Sequence, residues 1–304
     1  FNGESTLPSL YEMSNVQGLT RSALDEDDEL FVGYGFLPSI FPYRMQDLYD
    51  RSEELTPYVG VVLENQYLKA LFLPELGGRL WSLYDKKRDI ELLYKNDVFQ
   101  PANLALRNAW FSGGVEWNVG IKGHNPLTCS PLFARKLVSR DGTPILEMFE
   151  YERIRGIVYS MRFRLSDDLL VMRVNIENPN DVPVNMYWWS NIATPDEVGN
   201  RVIVPATTTY TTRDSHPVKI SIPEYNGIDV TYPADNVISI DYFWNIHEED
   251  RKFICQVDKD GYGLVQTSTK RLKGRKLFVW GNSKGGDRWK NFLTADDESG
   301  SYNE

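Results

Sequence analysis

Between residues 57 and 281 the chain breaks into short runs of β-branched and aromatic residues separated by turn-forming pairs. This pattern is the strongest constraint on the fold. Tyr58–Leu63, Tyr67–Leu73, Arg79–Tyr84, Ile145–Tyr151, Ile157–Leu165 and Leu169–Ile176 read as strands, as do Val184–Ile192, Arg201–Val204, Phe253–Val257, Gly263–Thr267 and Lys276–Gly281. Asp-Gly, Asn-Pro, Asp-Asp and Lys-Gly signals punctuate them, and Ser166-Asp167-Asp168 joins two runs as a hairpin would. Amphipathic helical periodicity is nearly absent, and no repeat of fixed period is visible. Strands at a spacing of about 8–12 residues predict a large antiparallel sandwich or barrel. Ahead of them, the acidic run Asp25-Glu26-Asp27-Asp28-Glu29 reads as a solvated loop. Phe36 to Tyr43 is aromatic and carries Pro38 and Pro42, which resist helix. The expected organisation is an extended arm over 1–56 packed on one β domain over 57–304.

Charge and motifs then exclude function classes. A net charge of −10 leaves no electrostatic footprint for nucleic acid. The longest apolar runs fall far short of the roughly 20 residues a membrane span requires. Cys129 and Cys255 give neither a disulfide framework nor metal-ligand spacing, and His124, His216 and His247 are scattered. No metal and no cofactor are expected. So few cysteines suit a reduced, cytoplasmic compartment. Phosphate loops, dinucleotide fingerprints and nucleophile elbows are missing, which argues against nucleotide and acyl chemistry. What remains is carboxylates, Asn, Arg, His and an aromatic content of 13%. Aromatic faces stack on sugars, and paired carboxyl groups flank an anomeric carbon in glycoside hydrolysis.

Four segments concentrate these tools. Trp110 to Gly120 holds Gly113-Gly114, Glu116 and Asn118, with His124 shortly after. An apolar wall of Val115 and Trp117 would raise the pKa of Glu116 and fit it for general-acid work, with His124 on the same rim. Alternatively, Glu116 only accepts loop hydrogen bonds. In Asn185 to Glu197, strand alternation puts Trp189 and Asn191 on one face, for stacking and hydroxyl recognition, and Asp196 follows a proline turn. A core strand followed by an acidic loop would look the same. Trp244 and His247 lie in Tyr242 to Glu249, where a histidine among acidic neighbours is a candidate proton shuttle or an ordinary surface residue. The fourth segment is Trp280-Gly281-Asn282-Ser283, with Trp289 and the final Glu304.

Leu73-Pro74-Glu75-Leu76-Gly77-Gly78-Arg79 resembles the opening of galactose-mutarotase-like proteins. Val184 to Ala193 resembles their central strand, and Tyr302-Asn303-Glu304 resembles the start of their C-terminal strand. Gly113-Gly114-Val115-Glu116-Trp117-Asn118, Trp188-Trp189-Ser190-Asn191 and Trp280-Gly281-Asn282 are similar to a bacterial branch in which tetratricopeptide repeats often follow the mutarotase-like domain. The resemblance implies an all-β antiparallel supersandwich with a sugar cleft on its concave sheet face. It implies that the last strands, and a helical-repeat segment or second chain completing the fold, lie beyond Glu304. It would make Arg79 substrate-orienting and Glu304 a general base. One departure matters: the family's general-acid His on the central strand has no counterpart in Met186 to Asn191. Simple epimerisation needs such an acid.

The leading expectation is therefore a glycoside hydrolase acting on an oligosaccharide or glycoside. Glu116 would be the acid, Glu304 the base or nucleophile, and Asp196 the reserve carboxylate. Arg79, Asn118, His124, Asn191 and His247 would bind hydroxyls, while Trp110, Trp189, Trp244 and Trp280 would stack on sugar faces. The alternatives are a non-catalytic oligosaccharide-binding module and an aldose epimerase with a substituted acid.

Overall fold

The computed structural model describes residues 42–43, 55–95, 113–120, 124–214, 216–280, 284 and 302–303. The regular structure of the described residues is almost entirely antiparallel strand, as the run-and-turn pattern predicts. Up to Ile192 they form one compact unit, and from Ala193 a second.

The first unit holds Val61–Glu64 (β1), Leu68–Leu73 (β2), Arg79–Asp85 (β3), Ile90–Glu91 (β4), Val115–Val119 (β5), Phe133–Val138 (β6), Pro144–Glu152 (β7), Ile157–Ser166 (β8), Leu169–Glu177 (β9) and Trp188–Ile192 (β10). One sheet runs β1-β2-β3-β5-β10, with β4 on β3, and the other runs β6-β7-β8-β9. Strand alternation sends Phe72 and Trp117 toward the second sheet, where their rings lie 4.7 and 5.2 Å from that of Phe163. The Trp117 indole donates to the Gly78 carbonyl at 2.9 Å, so its polar edge is satisfied inside this core. Met148, Ile157, Tyr159, Met161 and Phe163 are fully buried with them. The aromatic and branched residues thus go mainly into packing between two sheets.

Glu147 on β7 takes no part in that core. It faces outward beneath Arg135 on β6 and Arg162 on β8, both half-exposed, accepting hydrogen bonds from each. Burial is the largest influence on its carboxyl and acts upward. The two guanidinium groups outweigh it and leave the carboxyl below the ordinary glutamate range.

The second unit holds Thr194–Pro195 (β11), Arg201–Ile203 (β12), Thr208–Arg213 (β13), His216–Ser221 (β14), Glu224–Tyr225 (β15), Ile228–Asp229 (β16), Ile240–Trp244 (β17), Phe253–Val257 (β18), Gly263–Thr267 (β19), Arg275–Trp280 (β20) and Tyr302–Asn303 (β21). Its main sheet runs β11-β21-β20-β17-β13-β14, with a smaller β12-β18-β19 sheet and the β15-β16 ribbon. Val202, Ile220, Val230, Tyr242, Trp244, Leu277 and Val279 form its core. Pro233–Asp235 forms a 3-10 turn.

Two differences from the expected strands bear on the site. Val115–Val119 is a strand, whereas the sequence pattern suggested a glycine-rich loop. Its partner starts at Trp188 rather than Val184, because β5 offers only five residues to pair and Pro183 carries no N–H.

Candidate functional site

Strand β5 can form only because of the glycines before it. Gly114 sits at φ +71°, and a Cβ there would lie 2.5 Å from the Leu80 carbonyl oxygen. Glycine therefore lets β5 come up against β3. Once β5 is extended, Val115, Trp117 and Val119 point one way and Glu116 and Asn118 the other. In the antiparallel register Asn191 lies opposite Glu116, and Trp189 opposite Asn118. Directly opposed residues share a face. One face of β5 and β10 thus presents a carboxylate, two carboxamides and an indole.

Two further segments complete the cluster. At the head of β3, Arg79 Nη2 lies 3.5 Å from Glu116 Oε2, while Nη1 donates to the Gly113 carbonyl at 2.8 Å. The chain over 124–130 lies across the face. His124 Nδ1 is 2.7 Å from Glu116 Oε1, and its ring is 5.4 Å from that of Trp189. The Asn125 backbone N–H donates to Asn118 Oδ1 at 2.6 Å. Thr128 accepts from Arg79 Nη2 at 3.5 Å, and the Gly77 N–H donates to the Ser130 carbonyl at 2.9 Å. Asn125 and Thr128 were not among the sequence candidates; the Asn-Pro pair at 125–126 was the signal available.

Burial decides the electrostatics. Arg79 and Glu116 are each only 1% exposed, whereas the His124 side chain keeps 21%. Burial is the largest influence on the Glu116 carboxyl and pushes its pKa up. The charge and hydrogen bond of His124, the Arg79 guanidinium and the Asn118 amide together outweigh it, so the carboxyl falls below the ordinary glutamate range. This corrects the expectation of a raised, proton-donating Glu116. The apolar wall exists, with Val115 and Trp117 buried beside it, but those side chains face the opposite side of the strand. Glu116 Oε2 is met by Arg79 Nη2 at ion-pair rather than close hydrogen-bond distance, 3.5 Å.

Arg79, Glu116, Asn118, His124, Trp189 and Asn191 are therefore brought together in the first unit. Asp196, Trp244, His247 and Trp280 belong to the second unit. Asp196 is half-buried after β11, and His247 is exposed in a loop whose carbonyls at 247 and 248 accept from the buried Lys252 ammonium. Trp280 is buried on β20. Trp244 corrects its expected stacking role: it is 4% exposed in the second unit's core, its ring 5.9 Å from that of Tyr242. Its inward position was not readable because Tyr242 and Trp244 alternate with exposed Phe243, and either face of β17 could have been the buried one. Trp110 and Glu304 lie outside the described residues. Among the described residues no group of three or more His, Cys, Asp or Glu side chains could hold a metal, and no helix is long and apolar enough to cross a membrane. Cys129 and Cys255 are buried, and neither is in a disulfide.

A family model described as a domain of unknown function, DUF5107, matches residues 37–304. The chain belongs to the DUF5107 family. Solved structures place its fold. A TPR-domain-containing protein from Parabacteroides distasonis shares 23% identity over 87% of this DUF5107 chain, with a TM-score of 0.74. The chain spans only 45% of that protein's length. A galactose mutarotase-like protein from Clostridium acetobutylicum shares 14% identity over 76% of the chain and 83% of its own, at a TM-score of 0.52. The fold is thus the all-β antiparallel fold of galactose mutarotase-like proteins, as the LPELGGR segment and central strand implied. A mutarotase-like fold is a carbohydrate-related one, and fold by itself names no reaction.

Proposed function

We propose that this DUF5107 chain takes a glycoside or oligosaccharide on the β5–β10 face and hydrolyses it. The observation that carries the proposal is the half-buried Trp189 ring beside the half-buried His124, above the buried Asn191, Asn118 and Glu116 side chains of the same face. A pyranose presents an apolar face to an indole and hydroxyls to amides and carboxylates. A fold resembling galactose mutarotase-like proteins adds to the same case. Glu304 and Asp196 are given no role on this face, Glu304 lying outside the described residues and Asp196 in the second unit. His124 and Arg79 beside it favour the ionised form of Glu116, which weighs against it as the acid.

The test is incubation of the purified protein with a panel of aryl and alkyl glycosides and oligosaccharides, followed by proton NMR of the anomeric signals. New reducing-end signals that vanish in Trp189→Ala support hydrolysis, and the first anomer released reports retention or inversion. Exchange between anomers of free sugars without cleavage would indicate an epimerase. A second reading rests on a specific observation: the Glu116 carboxylate is already met by the Arg79 guanidinium and the His124 ring, as in a structural ion pair. Saturation-transfer contacts to a glycan with no chemical change would favour that binding module.

A further inference from the structure

We propose that the outward face of the β6-β7-β8-β9 sheet is a docking surface for an acidic polypeptide segment that carries apolar residues among its carboxylates. This sheet is not the one that holds β5 and β10, so the proposal stands apart from the carbohydrate reading.

Strand alternation turns Met148, Met161 and Phe163 into the core and Glu147, Arg162 and Arg164 to the opposite side. The register lines the outward side chains up across four strands. Arg135 is opposite Glu147, Glu147 opposite Arg162, and Arg162 opposite Arg173. Arg135 and Arg162 both reach Glu147, which leaves Arg173 directly across from a like charge. Arg164 lies two residues along β8 from Arg162 and so sits diagonal to Arg173. Like charges placed directly opposite on a sheet destabilise it. Among the described outward positions of these strands, four arginines stand against two carboxylates, Glu147 and Glu177. This local excess of positive charge belongs to a chain whose net charge is −10. Solubility alone would be served as well by more of the acidic residues that dominate the rest of the chain. Beside the arginines, Phe133 is 62% exposed and its ring stacks on that of Phe149 at 5.5 Å. The Arg135 guanidinium lies over the Phe149 ring, so the aromatic pair and the charged row form one surface.

Charge complementarity selects the occupant. Guanidinium forks bind carboxylates through two parallel hydrogen bonds. Glu147 in the middle of the row and exposed Phe133 beside it disfavour a uniformly charged polyanion, which has no apolar side chain for the ring. A second copy of the chain docked about a two-fold axis would set arginines against arginines. A peptide can lay carboxylates over Arg162, Arg164 and Arg173 and an apolar side chain on Phe133. Four strands span about 15 Å, the length of about ten helical residues, so a short segment covers the face.

The test is fluorescence anisotropy of the full chain with a fluorescein-labelled peptide of about twelve residues repeating Glu-Glu-Phe. Polyglutamate of the same length and a single-stranded oligonucleotide are run beside it. Saturable binding of the mixed peptide, weakening as salt rises, is expected. Arg164→Ser combined with Arg173→Ser should weaken that binding at least about tenfold. Glu147 is held by Arg135 and Arg162, so this variant leaves its ion pairs in place. Phe133→Ser should weaken binding about threefold or more through lost apolar contact. All three substituted side chains are exposed, so the core of each variant is untouched. Lys69→Ser combined with Lys87→Ser removes the same charge from exposed positions elsewhere in the first unit and should change binding less than about twofold. Equal losses in the two double variants would reduce the effect to net charge and overturn the proposal. Polyglutamate or the oligonucleotide binding as tightly as the mixed peptide would overturn it as well, in favour of a featureless polyanion site. So would the absence of binding at about 1 mM peptide.

Discussion

Glu116→Gln removes a charge and almost no volume, so it isolates the electrostatics of the cluster. Arg79 is 1% exposed and stays behind with acceptors that include the Gly113 carbonyl and Thr128. Breaking a buried ion pair from one side costs about 3–5 kcal/mol, since the surviving charge is left uncompensated. At about 1.4 kcal/mol per tenfold, this corresponds to roughly two to nearly four orders of magnitude in the opening equilibrium of β5 and β10. Native-state hydrogen exchange of peptides covering 113–120 and 188–192 reads that opening directly. Two further features identify the cause. The loss should change little between low and high salt, because a buried pair is poorly screened. The Glu116 pKa is lowered on folding, so its stabilisation is complete above the ordinary glutamate range and is lost as pH falls through the lowered value. The gap between wild type and variant should therefore close in acid. An exchange change below about tenfold, or a gap that widens in acid, would refute the ion-pair account.

Three further outcomes are expected. Gly77→Ala should destabilise the first unit by at least about 2 kcal/mol, since Gly77 sits at φ +66° and a Cβ would lie 2.2 Å from the Thr128 carbonyl oxygen; urea unfolding checks it. Asn118→Ala leaves the buried Asn125 N–H without its acceptor and should cost about 1–3 kcal/mol, read as faster exchange at the Asn125 amide. Glu147→Gln on the outward face should cost no more than about 1 kcal/mol and lose most of that in 1 M salt, because both of its arginines are half-exposed; urea midpoints at two salt concentrations decide it.

Strand positions were legible wherever a run was bounded by turn residues. The segments at 61–64, 68–73, 79–85, 157–166, 169–177, 253–257 and 263–267 fall where the pattern put them. Strands β6, β13 and β14 escaped: Phe133–Val138 is mixed and largely exposed, and Thr208–Arg213 is mostly hydroxyl residues. Their β character comes from the neighbour they pair with, which local sequence does not contain.

For the site, sequence named most of the first unit's members and misjudged one of their properties. Residue type and alternation were enough to place Trp189 and Asn191 on one face and to single out Glu116 and His124. The sign of the Glu116 shift was not available, because it depends on how closely the fold brings His124 and then Arg79 to the carboxyl. A local reading saw Val115 and Trp117 and inferred desolvation alone. Tertiary structure turned those two side chains to the far side of β5 and brought a guanidinium and an imidazole to the near side. The sequence by itself determined the antiparallel β class, the aromatic investment and the candidate residues, all of which are short-range properties of composition and period. Only the folded chain decided which aromatics are core, as for Trp244, and which ionisable groups meet. Strand pairing joins residues distant in sequence, and a buried charge takes its behaviour from whatever that pairing places within a few ångströms.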